Sequence, residues 1–82
     1  KLQRNLKQGM SGSDITTLQQ FFIQEGVYPE ALVTGYFGPL THVAAVRFQE
    51  KYASAILEPL GLSYGTGFVG ASTRSKINEL LE

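Results

Sequence analysis

The sequence predicts a small all-α fold, a three-helix bundle preceded by an extended N-terminal arm. Three observations lead to this prediction. The chain has 82 residues, of which 43% are hydrophobic, so it can bury one core. Apolar residues recur at helical spacing in three segments. The phrase T-G-x-x-G-x-x-T occurs twice, at residues 34–41 and 66–73, each time directly before one of those segments. We call these the first and second cassette.

The first helix is predicted to follow the tetrapeptide "SGSD". Ser13 is a favourable N-cap, and Asp14 suits the positive end of the helix dipole. Gly26 is expected to end the helix. The apolar stripe at i, i+3 and i+7 consists of Ile15, Leu18 and Phe22.

Each of the other two helices is predicted to begin at the second glycine of a cassette. Gly38 fits an N-cap and Pro39 fits the first helical position, where no N–H is needed. Gly70 occupies the same place before the third helix. The predicted core stripes are Ala45, Phe48 and Tyr52 in the second helix, and Ile77 and Leu80 in the third.

The remaining segments are an N-terminal arm and a linker. We expect Leu2 and Leu6 of the arm to point inward. The linker, residues 53–67, is predicted to form a short helical turn at residues 54–57, before Pro59. Leu60 and Leu62 are expected to fill part of the core.

Each cassette is interpreted as a turn that starts a helix. The first glycine suits a positive φ, and the second allows the chain to approach closely. Thr41 and Thr73 would lie at N3, where a hydroxyl can bond the cap N–H. The motif residues are Gly35, Phe37, Gly38, Thr41, Gly67, Val69, Gly70 and Thr73. The alternative is an anion site at two helix N-termini, but the phrase lacks the lysine of a phosphate loop.

Composition argues against several functions. Seven Lys+Arg balance seven Asp+Glu, so no basic face for nucleic acid or anionic lipid is expected. No apolar run is long enough to span a membrane. There is no cysteine, and His42, the only histidine, is expected to be a solvated helix residue, so neither a metal site nor a cofactor is predicted. No pair of carboxylates converges in the pattern, which argues against an enzyme.

Aromatic residues in loops are the best candidate contacts. Tyr28, Tyr36, Tyr64 and Phe68 lie in or near predicted loops, where rings can stack on sugars. The alternative is that several of them close the ends of the core. Tyr36 and Phe68 occupy the same position of the two cassettes, and this slightly favours a structural role for both rings.

Three segments, read in order, resemble the peptidoglycan-binding domain type 1 family. They are "LKQGMSGSDITTLQ" at residues 6–19, "GYFGPLTHVAAVRFQ" at residues 35–49 and "GFVGASTRSKINEL" at residues 67–80. The chain departs from the family pattern at Ala45, where the family has valine, and in a longer linker before the second cassette. The match still covers almost the whole chain.

The resemblance implies a non-catalytic module that binds the glycan or the stem peptide of peptidoglycan. It also implies a location outside the cell, in the wall or periplasm, and a covalently linked neighbouring domain. Because the chain begins at Lys1, we expect residues 1–82 to be a mature fragment or a single domain excised from a larger protein. The predicted contacts are Tyr28, Tyr36 and Tyr64, with Arg47 as a partner for a stem-peptide carboxylate. The alternative is an interaction or spacer module that has kept the fold without binding glycan.

Overall fold

A computed structural model describes residues 1–82 and confirms the all-α class. Four α-helices follow the arm: α1 (Ser13–Gln24), α2 (Pro39–Lys51), α3 (Ala53–Ile56) and α4 (Ala71–Leu81). A 3₁₀ turn, Glu58–Leu60, follows α3. The predicted three helices are therefore α1, α2 and α4, and the expected turn in the linker is α3.

Helix α1 starts one residue earlier than predicted. The N-cap is Gly12, because its carbonyl already accepts hydrogen bonds from the N–H groups of Ile15 and Thr16 (3.1 and 3.3 Å). Ser13 is thus the first helical residue, and the predicted cap at Ser13 is wrong. The end is as predicted, since Gly26 follows the helix with φ 77°.

Helices α2 and α4 begin as the cassettes predict, with Gly38 and Gly70 as N-caps in extended conformation. Ala45, Phe48 and Ile77 are fully buried. Leu80 is an exception to the predicted stripe, because it lies on the last turn of α4 and is exposed.

The N-terminal arm joins the two cassettes. Leu6 and Val69 exchange two backbone hydrogen bonds (3.0 and 2.8 Å), which form an isolated antiparallel bridge. Further along the arm, the N–H of Gly9 donates to the carbonyl of Phe37, whose N–H donates to the carbonyl of Met10 (both 2.8 Å). Leu2 and Leu6 are buried, as predicted. The arm therefore contacts the same position, Phe37 or Val69, in both cassettes.

The core is held by aromatic packing between α1 and α2. The ring centroids of Phe48 lie 5.4 Å from Phe21, 5.5 Å from Phe22 and 5.0 Å from Tyr52. Such pairs add to the free energy gained by burial. This cluster stabilises a chain of this size without disulfides.

Candidate ligand-binding grooves

A buried glutamine on α1 holds the first cassette in place. Gln19 Oε1 accepts hydrogen bonds from the N–H groups of Thr34 and Gly35 (2.9 and 3.0 Å). Gln19 Nε2 donates to the carbonyl of Tyr36 and to Thr41 Oγ1 (both 3.0 Å). One fully buried side chain thus replaces the backbone partners that a loop of this shape lacks.

A second glutamine, on α2, does the same for the second cassette. Gln49 Oε1 accepts from the N–H groups of Thr66 and Gly67 (2.8 and 2.9 Å). Gln49 Nε2 donates to the carbonyl of Phe68 (2.8 Å) and to Thr73 Oγ1 (3.2 Å). Each partner stands 32 positions after its counterpart in the first cassette, so the repeated sequence builds the same corner twice.

The role predicted for the two threonines is wrong. Neither α2 nor α4 has a side-chain hydrogen bond at its N-cap. Thr41 Oγ1 and Thr73 Oγ1 instead accept hydrogen bonds from the amide groups of Gln19 and Gln49. A buried amide needs an acceptor, and the threonine hydroxyl is the one the helix start offers.

The variable aromatic position of each cassette packs against the glycine two residues later. A Cβ placed on Gly38 would lie 3.4 Å from Tyr36 Cδ2 and Cε2, and one placed on Gly70 would lie 2.9 Å from Phe68 Cε2. Both rings stay half exposed, Tyr36 at 49% and Phe68 at 44% of their surface. The glycines therefore allow an aromatic ring to lie against the start of each helix while it remains accessible to solvent.

The first groove, of about 180 Å³, opens beside Tyr36. Tyr28 and Leu32, from the segment after α1, line its other side. The cassette residues that line it are Thr34, Tyr36, Gly38, Pro39, Leu40 and Thr41.

The second groove, of about 250 Å³, opens beside Phe68. The cassette residues that line it are Thr66, Phe68, Gly70, Ala71, Ser72 and Thr73, the six counterparts of those in the first groove. Leu60 and Leu62 line it from the linker. Their prediction as core residues is wrong, because the 3₁₀ turn leaves Leu60 59% exposed and Leu62 also on the surface.

The four predicted contacts do not form one site. Tyr28 and Tyr36 line the same groove, but Tyr28 is only 3% exposed and its hydroxyl donates to the carbonyl of Leu32 (2.7 Å). This supports the alternative that Tyr28 closes the core. Tyr64 is 78% exposed and lines neither groove. Arg47 is exposed on α2, and its Nη1 donates to the carbonyl of Val27 (3.3 Å).

His42 packs against the second cassette. Its imidazole occupies the space that a side chain at Gly67 would need, and Gly67 has φ 79°, so only glycine suits this position. The predicted solvated histidine is therefore half buried. No group of three or more His, Cys, Asp or Glu side chains is placed to hold a metal ion.

None of the helices has both the length and the hydropathy of a membrane span.

Among solved structures, the chain is similar to the SleB N-terminal domain. The two share 30% sequence identity and superpose with a TM-score of 0.75, over 96% of this chain and 94% of that domain. This chain belongs to the family of the SleB N-terminal domain. No family model matches the sequence, and no curated protein matches it either.

The match with the SleB N-terminal domain extends over nearly the full length of both chains. Phe68 is not among the contacts predicted from the sequence, although it occupies the position of Tyr36 in the repeat. The roles of Gln19 and Gln49 were also missed. Their signal was the shared pattern of Leu18-Gln19 and Phe48-Gln49.

Proposed function

We propose that this chain is a non-catalytic module that binds bacterial peptidoglycan. The observation that carries the proposal is the half-exposed ring, Tyr36 or Phe68, beside an open groove in each cassette. The other motif residues have structural roles in the two cassettes, whereas these two rings have accessible surface on which a ligand can pack. The choice of peptidoglycan as the ligand rests on the three ordered segments that resemble the peptidoglycan-binding domain type 1 family.

The proposed role is to tether a covalently linked domain to the wall, outside the cell or in the periplasm. Tethering raises the local concentration of the linked domain at its polymer, and this requires no chemistry by the module itself. A modest affinity is enough, because many equivalent sites recur along the polymer.

Among the predicted contacts, Tyr36 is the main candidate. Tyr64, which is largely exposed, is a candidate contact outside the two grooves, and Arg47 is a candidate partner for a stem-peptide carboxylate. Tyr28 can contribute only at the wall of the first groove, since nearly all of its surface is buried.

Co-sedimentation of the 82-residue chain with purified sacculi tests the proposal. We expect saturable binding, which Tyr36→Ala weakens while the melting temperature changes little. Leu81→Ala, an exposed apolar residue at the end of α4, is the matched control and should bind like the wild type. The absence of saturable binding to sacculi and to soluble muropeptides would contradict the proposal.

A second candidate function is that of an interaction or spacer module, and the linker favours it. Leu60, Leu62 and Tyr64 are all exposed in one short segment, which is typical of a surface that packs against a protein. In that case small-angle scattering of the parent protein would show this chain packed on its neighbour. Leu60→Ser would then weaken this packing and increase the radius of gyration of the larger protein. The chain itself would not bind to sacculi.

A further inference from the structure

Both grooves are free of formal charge. Residues 31–46 and 59–73, which contain the two cassettes, include no Asp, Glu, Lys or Arg. All seven acidic and seven basic side chains lie in the rest of the chain. No charged side chain and no histidine from any other element lines either groove. A ligand that enters these grooves therefore meets aromatic, aliphatic, hydroxyl and amide groups, and no formally charged side chain.

This chemistry discriminates between the two parts of peptidoglycan. Stem peptides carry carboxylates, and a carboxylate that leaves water needs a cation or several N–H donors. Neither groove supplies a cation, and the one side-chain amide among their lining residues, that of Gln49, already donates to Phe68 and Thr73. A sugar ring, by contrast, presents an apolar C–H face that can stack on an aromatic ring and hydroxyls that can bond to water or to nearby polar groups.

We propose that the ligand is the neutral glycan strand, and that each cassette provides one subsite for a hexosamine unit. This inference rests on the proposed function and narrows it to one component of the wall. Tyr36 is the stacking residue of the first subsite and Phe68 that of the second. The duplication is thus a duplication of sites as well as of a helix start.

The two subsites are held ready before any ligand arrives. The cassette backbones are fixed by the hydrogen bonds of Gln19 and Gln49, and the rings are held against Gly38 and Gly70. Little conformational entropy is lost when a sugar stacks on a ring that is already positioned. Because this entropy cost is small, even a groove of small area can bind a sugar with measurable affinity.

Titration of the ¹⁵N-labelled 82-residue chain, followed by NMR, tests the inference. The probes are a peptide-free tetramer of N-acetylglucosamine and, separately, a soluble stem tetrapeptide. We expect the oligosaccharide to cause saturable shifts in both cassettes and the peptide to cause none. Tyr36→Ala should abolish the shifts at residues 34–41 and keep those at 66–73, and Phe68→Ala should do the reverse. Each variant should lose about tenfold in affinity for sacculi, and Leu81→Ala none.

Three results would overturn the inference. One is a response to the tetrapeptide without a response to the oligosaccharide, and another is a response confined to one cassette. The third is a set of concentration-dependent shifts in both cassettes without sugar, which would mean that a second copy of the chain covers the grooves. In each case binding to intact sacculi, measured separately, decides whether the proposed function survives. Retained sacculus binding would leave that function standing while the glycan inference falls.

Discussion

The two cassettes share a hydrogen-bond frame but differ in the side chains around it. In both, a buried glutamine bonds two loop N–H groups, one carbonyl and the hydroxyl of the threonine at the helix start, and Gln19 also donates to Thr34 Oγ1. The apolar residues change, with Tyr36, Phe37 and Pro39 replaced by Phe68, Val69 and Ala71. The hydrogen bonds that fix the backbone of each cassette are thus shared, whereas the apolar side chains that line the two grooves differ.

The walls also come from different parts of the chain. The segment after α1 supplies Leu32 to the first groove, and the 3₁₀ turn supplies Leu60 to the second. Two unrelated segments therefore complete two similar grooves. The shared hydrogen bonds build the fold, whereas the differing side chains that line the grooves are those a ligand would contact. Variants at matched positions of the two cassettes can test each of these roles.

The largest effect is expected for Gln19→Ala and Gln49→Ala. Each change leaves two loop backbone N–H groups without their side-chain acceptor and opens a cavity at a fully buried position, so we expect the free energy of unfolding to fall by about 3 kcal/mol. Urea denaturation measures this loss. Gln20→Ala, one position away and exposed on α1, is the control and should change little. A loss below about 1 kcal/mol for either buried glutamine would show that the frame is not essential.

Thr41→Val and Thr73→Val should destabilise the chain to different extents. Gln19 Nε2 keeps two other acceptors after the first change, Thr34 Oγ1 (3.3 Å) and the carbonyl of Tyr36 (3.0 Å). Gln49 Nε2 keeps only the carbonyl of Phe68. We expect losses of about 1 kcal/mol for Thr41→Val and about 2 kcal/mol for Thr73→Val. Equal losses in denaturation would contradict this account of the second cassette.

Gly38→Ala and Gly70→Ala should separate binding from stability. Both glycines have a backbone conformation that alanine accepts. The new methyl at position 70 would displace the ring of Phe68, whereas that at position 38 would only touch Tyr36. We therefore expect Gly70→Ala to weaken sacculus binding several-fold and Gly38→Ala to leave it nearly unchanged, with small changes in melting temperature for both. The opposite order in co-sedimentation would be inconsistent with Phe68 as a contact.

The smallest effect concerns an ion pair at the start of α1 that has no counterpart at α2 or α4. The guanidinium of Arg4 donates to Asp14 (2.7 Å), which lowers the pKa of that carboxyl below its ordinary value of 3.8. The carboxylate therefore stabilises the fold above that value, and the contribution is lost as the pH falls through the lowered pKa. Asp14→Asn should slightly reduce the free energy of unfolding at neutral pH. It should also make that free energy depend less on pH in the acidic range. Because the Arg4 side chain is half exposed and the pair is screened by solvent, the change is small.

Most of the fold could be predicted because its signals are local. Glycines, proline and apolar spacing determine where α1, α2 and α4 begin and which faces are buried, and the repeat made Phe37 and Val69 recognisable as buried equivalents. The inward leucines of the arm, Leu2 and Leu6, were found in the same way.

Most of the errors concern contacts or exposure that hydropathy and local sequence do not show. Nothing near Thr41 in the chain shows that the amide of Gln19, 22 positions away, will reach its hydroxyl. Leu60 looked like a core residue because hydropathy does not show that a 3₁₀ turn will carry it to the surface. Tyr28 and Tyr36 looked alike as loop aromatics, and only the packing separates the buried ring from the accessible one.

A sacculus-binding isotherm of the Tyr36→Ala/Phe68→Ala double variant would show whether both cassettes contact the wall. We expect saturable binding by the wild type and by Leu81→Ala, and a loss of affinity of about a hundredfold for the double variant, since two separate tenfold losses combine. The melting temperatures should stay close together, because both rings are half exposed. Wild-type affinity in the folded double variant would contradict the claim that the two cassettes bind the wall.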